Sequence, residues 1–235
     1  MSSGSGHTLF PTAIGVCGVA WGPAGITAVQ LPEQDPEATR ARLLKHAGPC
    51  DAVDEPPDAI RAAITGIQAL LDGEPRQLLE LELDMARLTD FQRRAYAIAR
   101  AIPPGQTRTY GEVATELGDP GLARAVGQAM GANPFAPVVP CHRVLAAGHQ
   151  PGGFSASGGA LTKLRLLAIE GAAPGGTPDL GPIDHLDLAR PGHRARPAAP
   201  APDRIDETRH HCPAAAAPDR PNWRRDVTTP MLEIR

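Results

Sequence analysis

Cys141 lies in the run Pro137-Val138-Val139-Pro140-Cys141-His142-Arg143-Val144, with a proline before it and two ionisable side chains after it. A thiol attacks as its thiolate, and a free pKa of about 8.5 leaves only a small fraction ionised at neutral pH. A nearby imidazole and guanidinium are the groups that would enlarge that fraction. The competing reading is a cysteine buried as a small hydrophobe; two ionisable neighbours and two flanking prolines weigh against it. Pro137 and Pro140 fix φ and remove backbone donors, which predicts a stiff, extended segment outside any helix. The chemistry on offer is nucleophilic attack by sulfur.

Further pieces stand in order along the chain: Asn133-Pro134, then Pro140-Cys141-His142-Arg143-Val144, Gly152-Gly153-Phe154, and Leu166-Leu167-Ala168-Ile169-Glu170-Gly171. This ordered set resembles the signature of the O6-alkylguanine-DNA alkyltransferases, the methylated-DNA–protein-cysteine methyltransferases. The resemblance is strong over residues 89–171, looser over 8–88 and absent beyond 190. It implies DNA repair by direct, stoichiometric transfer of an alkyl group from O6-methylguanine, with O4-methylthymine as a second substrate, to the protein's own cysteine. The thioether that forms is not hydrolysed, so the protein would turn over once, with no cofactor and no metal in the chemistry.

The resemblance also implies roles. Cys141 would be the nucleophile, His142 the base acting through a water, and Glu170 the group that orients and charges the imidazole. Asn133 would be a hinge residue, and Tyr110 would meet the flipped nucleotide. Phe154 and Ser155 belong to a Gly/Ser-rich loop, residues 148–159, that would line the guanine pocket. Arg143 is grouped with the substrate contacts, although a hold on the local fold through backbone carbonyls is its favoured reading. Arg124 would fill the gap left by an extruded base. Extrusion is a demand of the chemistry, since the O6 alkyl group lies within the base stack.

Composition sets limits around these residues. The chain has 235 residues, 26 of them proline and 25 glycine, with 3% aromatics and a formal net charge of −3. Residues 1–88 carry 6 Lys/Arg against 12 Asp/Glu, whereas residues 89–170 carry 8 against 5. Contact with nucleic acid is therefore expected in the middle of the chain. Cys17, Cys50, Cys141 and Cys212 show no CxxC spacing, so neither a zinc ribbon nor a redox pair is suggested. Zinc, held by some relatives' N-terminal domains, is not carried over, because no ligand set is evident. With no run long enough for a membrane span and no basic-apolar leader, a cytoplasmic monomer is the expectation.

The elements that must position Cys141 follow from periodicity. The opening residues 1–7 read as a disordered start. A β-hairpin is expected from strands over 12–21 and 26–31, joined by Gly22-Pro23-Ala24-Gly25, and Cys17 within it as core. Helices are expected from Asp35 or Pro36 to about His46 and from Asp58 to Leu71, and a strand with one buried face over Gln77–Met85. Residues 1–88 thus form an α/β domain, for which the resemblance implies ribonuclease-H-like topology. Residues 89–175 read as a mainly α domain. Thr89 or Asp90 caps a helix to Ile102, and helices at 109–117 and 122–130 flank a tight turn, the spacing of a winged or plain helix-turn-helix. The second helix is rich in small residues around Gly127, which fits either close helix packing or, by resemblance, a seat in the DNA minor groove. Residues 176–235 form a Pro/Ala/Arg-rich tail, read as largely disordered.

Two departures from the family pattern matter. Phe154 stands where relatives carry tyrosine, and the loop carries two extra residues. The lost hydroxyl would be replaced by Ser155 or Ser157, the favoured reading, or by Tyr110. Lys163 and Arg165 open the last helix, facing either phosphate or solvent. Two rival functions stay open: a sensor or transcriptional regulator that grips alkylated DNA without turnover, and a cysteine hydrolase.

Overall fold

Small and β-branched residues between Gly6 and Gln30 favour extended chain, and glycines punctuate it where it must reverse. Strands β1 (Gly6–Thr12), β2 (Gly15–Gly22) and β3 (Gly25–Gln30) form an antiparallel meander in that order. The register pairs Phe10 with Cys17 and Val19 with Val29. The computed structural model describes residues 4–172. The tail expected over 176–235, with Cys212, lies outside the described residues.

Both edges of this sheet are covered, which removes the exposed row of backbone donors and acceptors that invites association. On the β1 side His7 N donates to Asp51 O and Val53 N to His7 O, both at 2.9 Å. On the β3 side Ile26 N donates to Glu82 O at 2.9 Å and Asp84 N to Ile26 O at 2.8 Å. Val29 N donates to Pro134 O at 2.8 Å, next to the catalytic stretch. The sheet therefore braces the segment that leads to Cys141.

Helix α1 (Pro36–Ala47) starts where the Asp35 side chain accepts from Ala38 N, and α2 (Asp58–Leu71) buries Ile60, Ala63, Ile67, Leu70 and Leu71 on one stripe. Helix α3 (Asp90–Ala101) and helix α4 (Tyr110–Glu116) each begin with a capping box, Thr89 with Gln92 and Thr109 with Glu112. A 3-10 turn at Pro120–Leu122 leads into α5 (Ala123–Gly131), and α6 (Ala160–Ile169) closes the described chain. Strands β4 (Arg108–Thr109) and β5 (Val144–Leu145) pair in parallel. One apolar core runs from Phe10 and Trp21 through Tyr96, Val126 and Phe135 to Leu166, while α1 packs separately through Leu43 on Ala20 and Ala28. The described residues fall within one compact unit, Met1–Ile183. No helix among them is long and apolar enough to cross a membrane.

The structure corrects four expectations. Gly6 and His7 belong to a strand and not to a disordered start. The strand expected over 12–21 breaks at Thr12–Gly15, because Gly15 turns the chain at φ 129. The strand expected over Gln77–Met85 is reduced to one bridge between Leu83 and Ile26. Its alternation fails at Leu78, whose φ of 54 takes the chain out of extended geometry. The run before Cys141 is turned and not extended: Val139 N donates to Phe135 O at 2.9 Å, and Cys141–Arg143 make a 3-10 turn. Proline's fixed φ suits a turn as well as an extended chain.

Gly25 holds the β2–β3 turn at φ 119, and a Cβ there would come 2.6 Å from Glu82 O, part of the cover on β3. Gly25→Ala should lower stability by about 2 kcal/mol. Urea denaturation checks this, and a loss below about 0.5 kcal/mol would show that the 82–84 cover is not held as described.

Candidate active site

The turn before Cys141 is organised by one buried amide. Asn133 Oδ1 accepts from Phe135 N at 2.9 Å, which fixes the amide's orientation and leaves Nδ2 as donor. Nδ2 donates to Val139 O at 2.8 Å and reaches Cys141 Sγ at 3.2 Å. The expected hinge residue thus also touches the sulfur. Cys141 itself is only 3% exposed. Burial pushes its thiol up, while the Asn133 hydrogen bond and the charge of Lys163 pull the other way.

His142 and Arg143 follow in the same 3-10 turn and both point inward, to Glu170 at the end of α6. His142 Nε2 lies 2.9 Å from Glu170 Oε1. Arg143 grips the same carboxylate twice, Nε to Oε2 at 2.9 Å and Nη2 to Oε1 at 2.8 Å, and its Nη1 donates to Ile102 O at 2.6 Å. The three side chains are 0%, 1% and 3% exposed in the order His142, Arg143, Glu170. Burial opposes ionisation of Glu170, but hydrogen bonds from His142 and Arg143 and the charge of Arg143 outweigh it and hold the carboxyl at about 2. Burial pushes His142 down, against the pull of Glu170, so the imidazole is neutral at pH 7. An ionised carboxylate only accepts, so Nε2 carries the proton and Nδ1 keeps a free lone pair. That Nδ1 is buried with no hydrogen-bond partner among the described residues.

Lys163 was expected to face phosphate or solvent; it is fully buried. Its Nζ donates to Val144 O at 2.7 Å and sits 3.5 Å from the Tyr110 hydroxyl. Burial lowers Lys163 to about 8, with the Cys141 charge acting in the opposite sense. Lys163 is thus the cation that bears on Cys141. Arg143, expected first to hold backbone carbonyls, does so at Ile102 O and otherwise grips Glu170; with its side chain only 1% exposed, it does not serve as the substrate contact it was also grouped with. The signal for Lys163 was present in the sequence, since 163, 166 and 167 share one helical face and all three are buried.

A cavity of about 450 Å³ opens above the sulfur, lined by Tyr110, Gly127, Met130, Cys141, Phe154 and Ser155 among others. Tyr110 and Phe154 pack partly against the core, and burial pushes the Tyr110 phenol up. Ser157 is not part of the lining; its carbonyl accepts from Thr162. Arg124 is exposed on α5, with no hydrogen bond or ion pair among the described residues. A Cβ on Gly127 would meet nothing within 4 Å, so no neighbouring helix among the described residues explains that glycine. Close helix packing at Gly127, one of the two sequence expectations, is thereby removed.

Glu170 yields a pH prediction with a definite sign. Its carboxyl falls from 4.5 to about 2 on folding, so its contribution is complete above pH 4.5 and is lost as pH drops toward 2. Glu170→Gln should cost about 3 kcal/mol at neutral pH, the scale for breaking a buried ion pair. The gap from the parent protein should narrow across that acid window. Denaturation profiles from pH 7 to 2 check it; a constant gap would remove the ionised carboxylate from the account.

Comparison with known proteins gives the family. The family described as 6-O-methylguanine DNA methyltransferase, DNA binding domain, matches residues 90–172. A methylated-DNA–protein-cysteine methyltransferase of Mycolicibacterium paratuberculosis is 40% identical over 150 residues, spanning 63% of this chain and 87% of the relative. The crystal structure of Mycobacterium tuberculosis OGT in complex with DNA superposes with a TM-score of 0.56 at 35% identity, covering 71% of this chain and 92% of that one. The O6-methylguanine-DNA methyltransferase of Pyrococcus kodakaraensis gives 0.55 at 26% identity, over 71% and 99% of the two chains. With a cysteine lining a cleft, a histidine next to it in sequence bonded to Glu170, and relatives matched along most of their length, the chain belongs to the methylated-DNA–protein-cysteine methyltransferase family.

Proposed function

We propose that this protein repairs O6-alkylated guanine in double-stranded DNA by moving the alkyl group to Cys141 once per molecule. The observation that carries this reading is the buried Cys141–His142–Glu170 arrangement beneath an open cavity. The thiol's proton passes to His142 Nδ1, through a bridging water, and the sulfur attacks the alkyl carbon. The C–O bond electrons go to the guanine O6, and the products are S-alkylcysteine and guanine. Asn133 Nδ2 and the Lys163 ammonium offset the negative charge that burial makes costly on sulfur.

The departing guanine needs a proton donor, and Tyr110 supports that role better than the loop serines. Lys163 Nζ can only donate, so the Tyr110 oxygen accepts and its own O–H is free to point into the cavity. Phe154 supplies a stacking face, and Ser155 lies at the rim. Arg124, exposed on α5 with small residues beside it, suits a helix seated in the minor groove with the base turned out. For the fold, the α4–turn–α5 unit beside the β4–β5 pair supports a winged helix-turn-helix reading. The three-stranded meander with α1 and α2 supports the ribonuclease-H-like one. Domain limits at about residues 88 and 175 go with that reading.

Mixing the protein with a duplex bearing one O6-methylguanine should add one methyl mass, mapped to Cys141 and absent in Cys141→Ala. A protein that binds the duplex and gains no mass would be a lesion sensor. Arg124→Ala should slow transfer from duplex on the order of 10²-fold and leave attack on the free base nearly unchanged, because only the duplex requires extrusion. Equal losses on both substrates would make Arg124 structural. Tyr110→Phe should cost about 10²-fold in single-turnover rate, and Ser155→Ala much less; the reverse order would return the donor role to the loop.

A further inference from the structure

The loop that supplies Gly153, Phe154 and Ser155 to the cavity has little of its own to hold it. Gly152 adopts φ 65, Gly153 follows, and a Cβ on Gly153 would meet nothing within 4 Å. Before it, Ala146 N donates to Gln150 O; after it, Gly159 N donates to Ala156 O. Both bonds lie within the loop region itself. Between Pro151 and Ser155, the hydrogen bond that ties the loop to another element is the one from Arg42 Nη2 on α1 to Ser155 O, at 2.6 Å across 113 residues of sequence.

Arg42 is held from behind. Its Nε lies 3.3 Å from Glu33 Oε1, and that carboxylate side chain is 8% exposed. Glu33 Oε1 also accepts from Gln30 Nε2 at 3.0 Å, and Glu33 N donates to Thr39 Oγ1 at 3.0 Å. A relay therefore runs from the end of β3 through Glu33 and Arg42 to the loop carbonyl. Beneath it lies a hollow of only about 20 Å³, bordered by Arg42, Asn133, Cys141 and Ser155. That space holds about one water, so Arg42 stands in the wall behind the sulfur and not in the volume a substrate would occupy.

We infer that Arg42 is a positioning residue for the reaction: it latches the Phe154–Ser155 wall against Cys141 and so sets how the alkyl carbon is presented and how large an alkyl group fits. This rests on the reading of Cys141 as the alkyl acceptor. A guanidinium donating to a carbonyl is a charge-assisted bond, stronger than a neutral pair. It acts on a glycine-rich segment whose unrestrained chain has many conformations to lose. Without the latch the wall moves outward. A small methyl group is then poorly aligned for in-line attack, while a bulky group tolerates or gains from the space.

The test uses the full-length protein with Arg42→Ala, Arg42→Lys and Glu33→Gln. Backbone hydrogen exchange at 152–156 should quicken at least about tenfold in Arg42→Ala while α3 is unchanged, the order expected for one lost charged hydrogen bond. Single-turnover transfer from O6-methylguanine duplex should fall about tenfold, and reaction with free O6-benzylguanine should fall less, so the benzyl-to-methyl ratio rises. Arg42→Lys should recover part of both effects. Unchanged exchange at 152–156 in Arg42→Ala, or equal losses on methyl and benzyl substrates, would overturn the latch. If Arg42→Ala does not fold, exchange in Glu33→Gln decides: faster exchange at 152–156 supports the latch, parent-like exchange refutes it. Failure of the parent protein to take up any alkyl group would refute the repair reading instead, and the exchange data would still judge the contact.

Discussion

A single buried carboxylate, Glu170, sets the terms for the catalytic segment. It accepts one hydrogen bond from His142 and two from Arg143, so the 3-10 turn carrying Cys141 is fixed to the end of α6 by charge and geometry together. An isolated buried charge would be costly; here a bidentate guanidinium satisfies it, and the imidazole is oriented as a consequence. Arg143 is therefore best understood as the counter-ion that permits an ionised Glu170 in a buried site. Arg143→Lys would not be a conservative change there, because an ammonium cannot reproduce the planar two-point grip.

The same burial shapes the thiol. Burial opposes a thiolate at Cys141, and the opposing pulls come first from Asn133 and Lys163, then from the backbone N–H groups of Cys141 and His142, and not from the His142 imidazole or the Arg143 guanidinium. A resting thiol that ionises only when its proton has somewhere to go suits a protein that reacts once and cannot be regenerated. A standing thiolate would be exposed to oxidation between lesions. The N-terminal meander takes part at a distance, through Val29 on Pro134 and through the Glu33–Arg42 relay on Ser155.

Much of this was legible in the sequence, for physical reasons that can be named. α2 over Asp58–Leu71 was given by an apolar stripe at helical spacing, and α3 by a cap at Thr89 or Asp90; the capping boxes completed by Gln92 and Glu112 are what the structure adds. Cys141, His142 and Glu170 were marked by type and order. What escaped was whatever depended on tertiary direction. Leu78–Leu83 looked like a strand because leucine alternates there, but pattern says nothing of the positive φ at Leu78. Arg143 and Lys163 exchanged their expected surroundings, since a chain neighbour of the thiol can face away from it while a residue on another helix faces toward it. No local signal in the sequence pairs Arg42 with Ser155.

The central claim is that His142 is neutral, with Nε2–H given to an ionised Glu170 and Nδ1 left as the acceptor. Nitrogen-15 NMR of the histidine ring reads this directly in the free protein. At pH 7 the account predicts a neutral imidazole with one protonated nitrogen, Nε2, and an Nδ1 shift typical of an acceptor, with protonation setting in at lower pH than for an exposed histidine. A doubly protonated ring at pH 7, or a proton on Nδ1 instead of Nε2, would contradict it.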